Sequence, residues 1–241
     1  DQDGDGERFP LVVEIHGGPH AMWGNTFWHE FQVIAGRGYV VFFCNPRGSD
    51  GYGHAFRDAI HGCWGECDAD DILTGVHGLL QRDYVDRDRL AVTGGSYGGF
   101  MTAWIIGHDQ RFAAAVSQRG VYDLIGFYGT TDIPRFLEAE FDVAPWEDAE
   151  ILWRYSPLAY VEQIKTPLLI LHSDLDYRVP VSDGEQLYAA LKRLGREVAF
   201  VRYPREGHEL SRSGEPGHRV DRIERMIAWF DRYTAVQDSD D

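Results

Sequence analysis

Gly94-Gly95-Ser96-Tyr97-Gly98-Gly99 lies between two apolar segments of different kinds. Before it, Arg89-Leu-Ala-Val-Thr93 is short and apolar enough for a buried strand. After it, Phe100-Met-Thr-Ala-Trp-Ile-Ile106 can continue as a buried helix. A G-x-S-x-G between a strand and a helix predicts a nucleophile elbow, a turn sharp enough to lift the serine hydroxyl clear of the sheet. Gly94 and Gly98 are then positions where any side chain would strike the neighbouring strand or helix. The bland alternative is a Gly-rich structural turn.

Outward from the elbow, apolar runs at 10–15, 39–44, 112–116, 167–171 and 198–203 also read as strands, so the elbow strand is the third of six. Helical patterns separate them: residues 27–35, then Ile72, Val76, Leu79 and Leu80, then Leu187, Leu191 and Leu194 stopped by Gly195. Val220, Ile223, Ile227 and Phe230 mark a final helix, and Ser156-Pro157 reads as a helix start with a serine cap. The stretch 121–153 is aromatic and acidic and reads as a helical excursion over one end of the sheet. Strands alternating with helices predict an α/β fold, a mainly parallel sheet covered on both faces.

A length of 241 residues suits one such domain, and the 44% hydrophobic content is that of a soluble globular protein. No apolar run approaches the roughly 18 residues of a membrane span. A formal charge of −16 argues against nucleic acid and anionic membranes as partners. Cys44, Cys63 and Cys67 cannot all pair within the chain, which favours a reducing, cytoplasmic setting. His61-x-Cys63-x3-Cys67 lacks a suitably spaced fourth ligand, and Trp64-Gly65 within it suggests a packed turn, so no metal is expected. Asp1-Gln-Asp3-Gly-Asp5-Gly6 imitates half a calcium loop, but Val12 stands where the closing glutamate belongs. Residues 1–9 therefore read as an acidic linker, 10–233 as the folded domain and 234–241 as an acidic tail.

Serine is a poor nucleophile unless a base takes its proton and a carboxylate orients that base. In hydrolases with this elbow the partners follow in the order acid, then histidine, on loops after later strands. One such loop reads His172-Ser-Asp174-Leu-Asp176-Tyr-Arg178-Val-Pro180, and the other reads Pro204-Arg-Glu-Gly207-His208-Glu. His208 is the base by position, with His218 a distant second; spacing alone leaves Asp174 and Asp176 as rivals for the acid. The chemistry needs no cofactor. An oxyanion site is also required, and the Tyr97 N–H supplies one donor. A second is expected elsewhere than in His16-Gly-Gly-Pro19-His20, because proline has no N–H.

These residues resemble the prolyl oligopeptidase family of serine peptidases, particularly its acylaminoacyl-peptidase branch, over nearly the whole of 10–233. The likeness rests on His-Gly-Gly-Pro-His at 16–20, Asn-Pro-Arg-Gly-Ser at 45–49 with Tyr52-Gly53, Trp64-Gly65 before an acidic helix start, Gly-Gly-Ser-Tyr-Gly-Gly at 94–99, Asp176-Tyr-Arg178-Val-Pro180, and Gly207-His208. It implies Asp176 as the acid, the Tyr52 hydroxyl as second oxyanion donor, Arg178 as a holder of a substrate carbonyl and Val179 as a wall of the specificity pocket. Tyr122, Phe127, Tyr128, Phe136 and Phe141 are expected to supply an apolar pocket. The resemblance further implies an α/β-hydrolase fold lacking the first two of its usual eight strands. The strand at 39–44 would then be an uncovered edge, and the chain would be the C-terminal piece of a longer protein whose propeller-containing N-terminal portion is its partner. Short peptide substrates and a homo-oligomer are expected. A carboxylesterase on the same fold is one alternative. Another is a serine exopeptidase of carboxypeptidase type, gripping a free C-terminal carboxylate through Arg119 or Arg135.

Overall fold

Alternation within the strands dictates how the layers stack. In β1 (Phe9–Ile15), Leu11, Val13 and Ile15 face one buried side and Val12 the other. A strand buried on both faces needs helices above and below it, which is the environment of a parallel sheet. The computed structural model, which describes residues 6–235, has that arrangement. β1 joins β2 (Val40–Phe43), β3 (Val85–Gly95), β4 (Ala114–Gln118), β5 (Leu168–Ser173) and β6 (Val198–Tyr203) in one sheet. Its order is β2-β1-β3-β4-β5-β6, and every pairing is parallel.

The helices follow in the order α1 (His29–Ala35), α2 (His54–Arg57), α3 (Cys67–Leu79), α4 (Tyr97–His108), α5 (Leu124–Thr130), α6 (Arg135–Phe141), α7 (Ala149–Arg154), α8 (Val181–Arg193), α9 (Leu210–Ser213) and α10 (Pro216–Thr234). On one face, Ile72 and Val76 of α3, Phe100, Met101 and Ile105 of α4, and Leu187 and Leu191 of α8 pack on Leu11, Val13, Val92 and Ile170. On the other, Ile34 of α1 and Met226, Trp229 and Phe230 of α10 cover Val12, Ala91, Val116 and Leu169. Burying each of the larger side chains contributes about 1.5–3 kcal/mol. Among the described residues no helix is long and apolar enough to cross a membrane.

The six expected strands are present with shifted ends. The elbow strand starts at Val85 rather than 89, and the next runs 114–118 rather than 112–116. The excursion over 121–153 contains α5, α6 and the start of α7. Two local expectations fail. Ser156 does not cap the segment it precedes, a 3-10 helix at Pro157–Gln163. Its hydroxyl instead donates to the Leu152 carbonyl (2.8 Å) and accepts from the Leu124 N–H (2.9 Å), tying α5 to α7. In α10, Val220 and Ile223 turn toward a surface cleft rather than the sheet, while Met226 and Trp229 take the buried stripe. β2 is an edge of the sheet with Phe43 exposed, as the family resemblance implied. Residues 1–5 of the calcium-like run and 236–241 of the tail lie outside the described residues.

The elbow depends on backbone contact. A Cβ at Gly98 would lie 2.2 Å from the Ile15 carbonyl oxygen, and one at Gly94 would lie 2.6 Å from the same atom. Gly98→Ala is therefore expected to destabilise the protein by about 1–3 kcal/mol, lowering Tm by several degrees in thermal unfolding. Gly78→Ala, in α3 with open space around it, is expected to be neutral or stabilising by up to about 1 kcal/mol. Equal loss in both variants would contradict the close-approach account.

A second test uses Asp183, which sits buried at the start of α8 and accepts from the backbone N–H groups of Tyr122 (2.9 Å) and Asp123 (3.2 Å). Burial pushes its carboxyl up to about 7, against about 3.9 for an aspartate in an unfolded chain. Between those values the folded state keeps a proton that the unfolded state has lost, so this group's contribution to stability is full below about pH 4 and falls as pH rises toward 7. Asp183→Asn is expected to remove that decline, of the order of a few kcal/mol, from stability measured by denaturant titration between pH 4 and 8.

Candidate active site

Where β3 ends, the chain reverses into α4 through Ser96, whose backbone lies at φ 62° and ψ −122°. Few non-glycine residues adopt such a conformation, and the glycines on either side make the turn sterically possible. The Ser96 N–H donates to the Gln118 carbonyl of β4 (2.9 Å), fixing the turn against the adjacent strand.

The loop after β5 turns back so that Asp176 is buried, and its Oδ1 accepts from the N–H groups of Arg178 (3.0 Å) and Val179 (2.9 Å). Its other oxygen, Oδ2, accepts from His208 Nδ1 at 2.7 Å. The Ser96 hydroxyl lies 3.0 Å from His208 Nε2. Serine, histidine and carboxylate thus form one continuous line of hydrogen bonds, built from the ends of β3, β5 and β6. Asp174, the rival from spacing, is turned outward and pairs with Arg202 (2.7 Å). His218 instead meets Glu206 (2.7 Å), remote from the serine's hydrogen bond.

The Tyr97 N–H follows the serine at the start of α4, and its ring is buried. Its hydroxyl donates to Asp68, which also accepts from the N–H groups of Gly65 (3.1 Å) and Ala69 (3.0 Å). Burial beside that carboxylate pushes the Tyr97 phenol well above its usual range. The acidic helix start after Trp64-Gly65 is therefore a brace under the elbow, a role the sequence reading did not assign to Asp68.

The two histidines of His16-Gly-Gly-Pro19-His20 both reach the loop that follows β2. His16 Nε2 lies 2.9 Å from the Ser49 hydroxyl, and His20 Nδ1 donates to the Gly48 carbonyl (2.8 Å). His20 Nε2 meets the Glu140 carboxylate (2.9 Å), which also accepts from Trp64 Nε1 (3.1 Å). Tyr52 sits on this braced loop, more than half exposed and outside the lining of the main cleft. Its hydroxyl accepts from Asn45 Nδ2 (3.0 Å).

Ser96 and His208 open into a cleft of about 760 Å³. One wall is apolar: Trp64, Val121, Phe127, Ile133, Phe136 and Val179. Tyr122 is not part of it. That side chain is fully buried, with its hydroxyl 2.6 Å from Ser117 Oγ, because the backbone leaving β4 turns it into the core. Tyr128 and Phe141 also lie outside the cleft lining. Arg178 lines the cleft but is paired with Asp132 at 2.6 Å. Arg119 lines it too, whereas Arg135 is exposed on α6 and does not. His61, Cys63 and Cys67 do not converge: the imidazole meets Asp142 (2.7 Å), and both thiols face the Ala59 carbonyl.

Comparison with known proteins agrees with this fold. Residues 25–237 match the model of the prolyl oligopeptidase family. The uncharacterized peptidase YuxL of Bacillus subtilis is 48% identical over 93% of this chain and 35% of its own length. Dipeptidyl-peptidase 5 of Aspergillus oryzae is 35% identical over 98% of this chain and 33% of its own. The solved acylaminoacyl peptidase of Pyrococcus horikoshii superposes with a TM-score of 0.94 at 34% identity, covering 100% of this chain and 39% of that one. The chain thus spans between a third and two fifths of the length of these relatives. An α/β-hydrolase sheet with a serine elbow, matched over most of its length by the family model, makes this chain a member of the prolyl oligopeptidase family of serine peptidases.

Proposed function

We propose that this chain carries the catalytic centre of a serine peptidase that hydrolyses short peptides through an acyl-enzyme. The observation that carries the reading is the line Ser96–His208–Asp176, with contacts of 3.0 and 2.7 Å. His208 takes the hydroxyl proton as Ser96 Oγ bonds to the scissile carbonyl carbon, and returns it to the nitrogen as the C–N bond breaks. Water then attacks the ester by the same route, and the acid is released. Asp176 holds the imidazole with Nδ1 protonated and stabilises its charge; the two backbone N–H bonds to its Oδ1 keep that carboxylate in place.

The oxyanion of the tetrahedral intermediate is held by the Tyr97 N–H and the Tyr52 hydroxyl. Asn45 supports the second role, because a phenol that accepts from Asn45 keeps its own proton free to donate. Val179, Phe127 and Phe136 form the apolar wall that receives the side chain before the cut. Arg178 holds a substrate carbonyl when it is released from Asp132, an exposed pair that costs little to open. The remainder of the longer protein, expected to carry a propeller, restricts entry to short peptides, and the site operates in the cytoplasm. Relatives named as acylaminoacyl and dipeptidyl peptidases support a peptide substrate over a simple ester.

A fluorophosphonate probe is expected to label the full-length protein and to leave Ser96→Ala unlabelled; an unlabelled wild type would overturn the reading. Asp176→Asn is expected to lower kcat about 10⁴-fold by favouring the wrong imidazole tautomer. Tyr52→Phe is expected to lower kcat about 10²–10³-fold with little change in KM. Hydrolysis of an acylated amino-acid anilide beside a nitrophenyl ester distinguishes the esterase: activity on the ester alone would favour it.

A further inference from the structure

Arg119 is a buried guanidinium at this site whose surroundings do not explain it. The residue is only 9% exposed, yet Nε has no hydrogen-bond partner and no carboxylate among the described residues pairs with the group. Its backbone sits at φ 43°, a strained conformation for a residue with a side chain. A Cβ at Gly95 would lie 2.7 Å from Arg119 Nη2, so the guanidinium rests against the residue preceding Ser96, in the wall of the cleft. Burying an unpaired charge is costly, and a folded protein keeps one only where something else compensates it.

No neighbouring carboxylate pairs with it directly: Asp176 attracts it from nearby but is bonded to His208 and to two backbone N–H groups. Glu30 is taken by Arg222, whose Nη2 pairs with it, while Nη1 reaches the Gln118 side chain. Glu14 is buried with Oε1 unpartnered, and burial raises its carboxyl well above the usual range, which opposes its ionisation. Glu209 pairs with Arg212. The attraction of Glu30 and Asp176 is shared with other partners, and Arg119 is left without a direct partner in the cleft wall of a chain whose net charge is −16. Burial and the nearby Arg212 and Arg222 bring Arg119 down only to about 10, so it remains a cation at neutral pH.

Direction across the site follows from His208. That imidazole protonates the leaving amine, and α9, which follows it directly, brings Arg212 into the cleft lining close enough to Arg119 for the two charges to oppose each other. The apolar wall draws on other segments: Trp64 before α3, Phe127, Ile133 and Phe136 in and between α5 and α6, and Val179 before α8. We propose that Arg119 is the anchor of a carboxylate subsite on the leaving-group side of Ser96, so that the preferred substrate is a short peptide whose released portion carries a carboxylate close to the scissile bond. The proposal rests on the serine-peptidase reading of the same site. A guanidinium matches a carboxylate with two parallel hydrogen bonds, which gives both charge and orientation. The carboxylate is either the C-terminal group of the peptide or the side chain of an acidic residue just after the cut.

Three N-blocked dipeptides tested on the full-length protein separate these sources: one ending in alanine with a free carboxylate, its amide, and an amide ending in aspartate. Release of the C-terminal amino acid or its amide gives kcat/KM. The free acid or the aspartate amide is expected to exceed the alanine amide by about 10- to 100-fold. Whichever does so identifies the source. Arg119→Gln is expected to collapse that preference to within a few-fold, and Arg135→Gln, exposed on α6, to retain it. Equal rates on all three wild-type substrates would overturn the proposal, as would a preference that survives Arg119→Gln. Calorimetric binding of the same compounds to Ser96→Ala checks the subsite without a working nucleophile, so failure of fluorophosphonate labelling would defeat the triad alone. Binding to Ser96→Ala that is indifferent to the carboxylate would defeat the subsite alone.

Discussion

The Ile15 carbonyl oxygen at the end of β1 faces the positions where Gly94 and Gly98 would carry side chains, at 2.6 and 2.2 Å. This backbone-to-backbone approach lets α4 start directly over the sheet rather than beside it. A larger residue at either glycine would push β1, β3 or α4 outward, and Ser96 would move with them. The next glycine has the same role on the other flank, since a Cβ at Gly99 would lie 2.6 Å from the Gln118 carbonyl of β4. The serine's strained backbone is therefore held from both neighbouring strands, and the rest of the site is aimed at a point that the sheet itself defines.

Around that point, hydrogen bonds do the aiming. Asp176 receives two backbone N–H groups and one imidazole, which satisfies a buried carboxylate without an arginine. A guanidinium in its place would compete with His208 for the carboxylate and weaken the orientation of the ring. On the side bearing Tyr52, His16 and His20 hold the loop, and His20 links it through Glu140 to Trp64. The Asp68 brace holds Tyr97 from below. Two histidines that look redundant in the sequence thus fix the relative position of two loops that share no strand.

Much of this was legible in the sequence because it depends on local pattern. Six apolar runs gave six strands, and a glycine-flanked serine between a strand and a helix gave the elbow. What was not legible depends on where a side chain points after the backbone turns. Tyr122, Phe127 and Phe136 are equivalent as aromatic residues in one stretch, yet Tyr122 lies in the core because Asp183 pins its N–H and Ser117 meets its hydroxyl. Ser156 reads as a cap, but its hydroxyl finds a nearer carbonyl at Leu152. Val220 and Ile223 fit a helical stripe, yet the sheet end that α10 crosses leaves them over the cleft. Each miss is a tertiary contact overriding a local signal.

Charge accounting is the part of the site least visible in a sequence. A composition with 39 acidic and 23 basic residues suggests that every arginine will find a carboxylate. Burial changes that count. Arg222 holds Glu30 with Gln118 beside it, burial discourages ionisation of Glu14, Asp176 is bonded to His208, and Arg119 is left without a carboxylate paired to it. The same acidic excess makes an unmatched cation more selective, because most of the surface repels a carboxylate and this part of the cleft attracts it. Substrate discrimination in this fold can thus arise from a missing partner inside the site as well as from the shape of its walls.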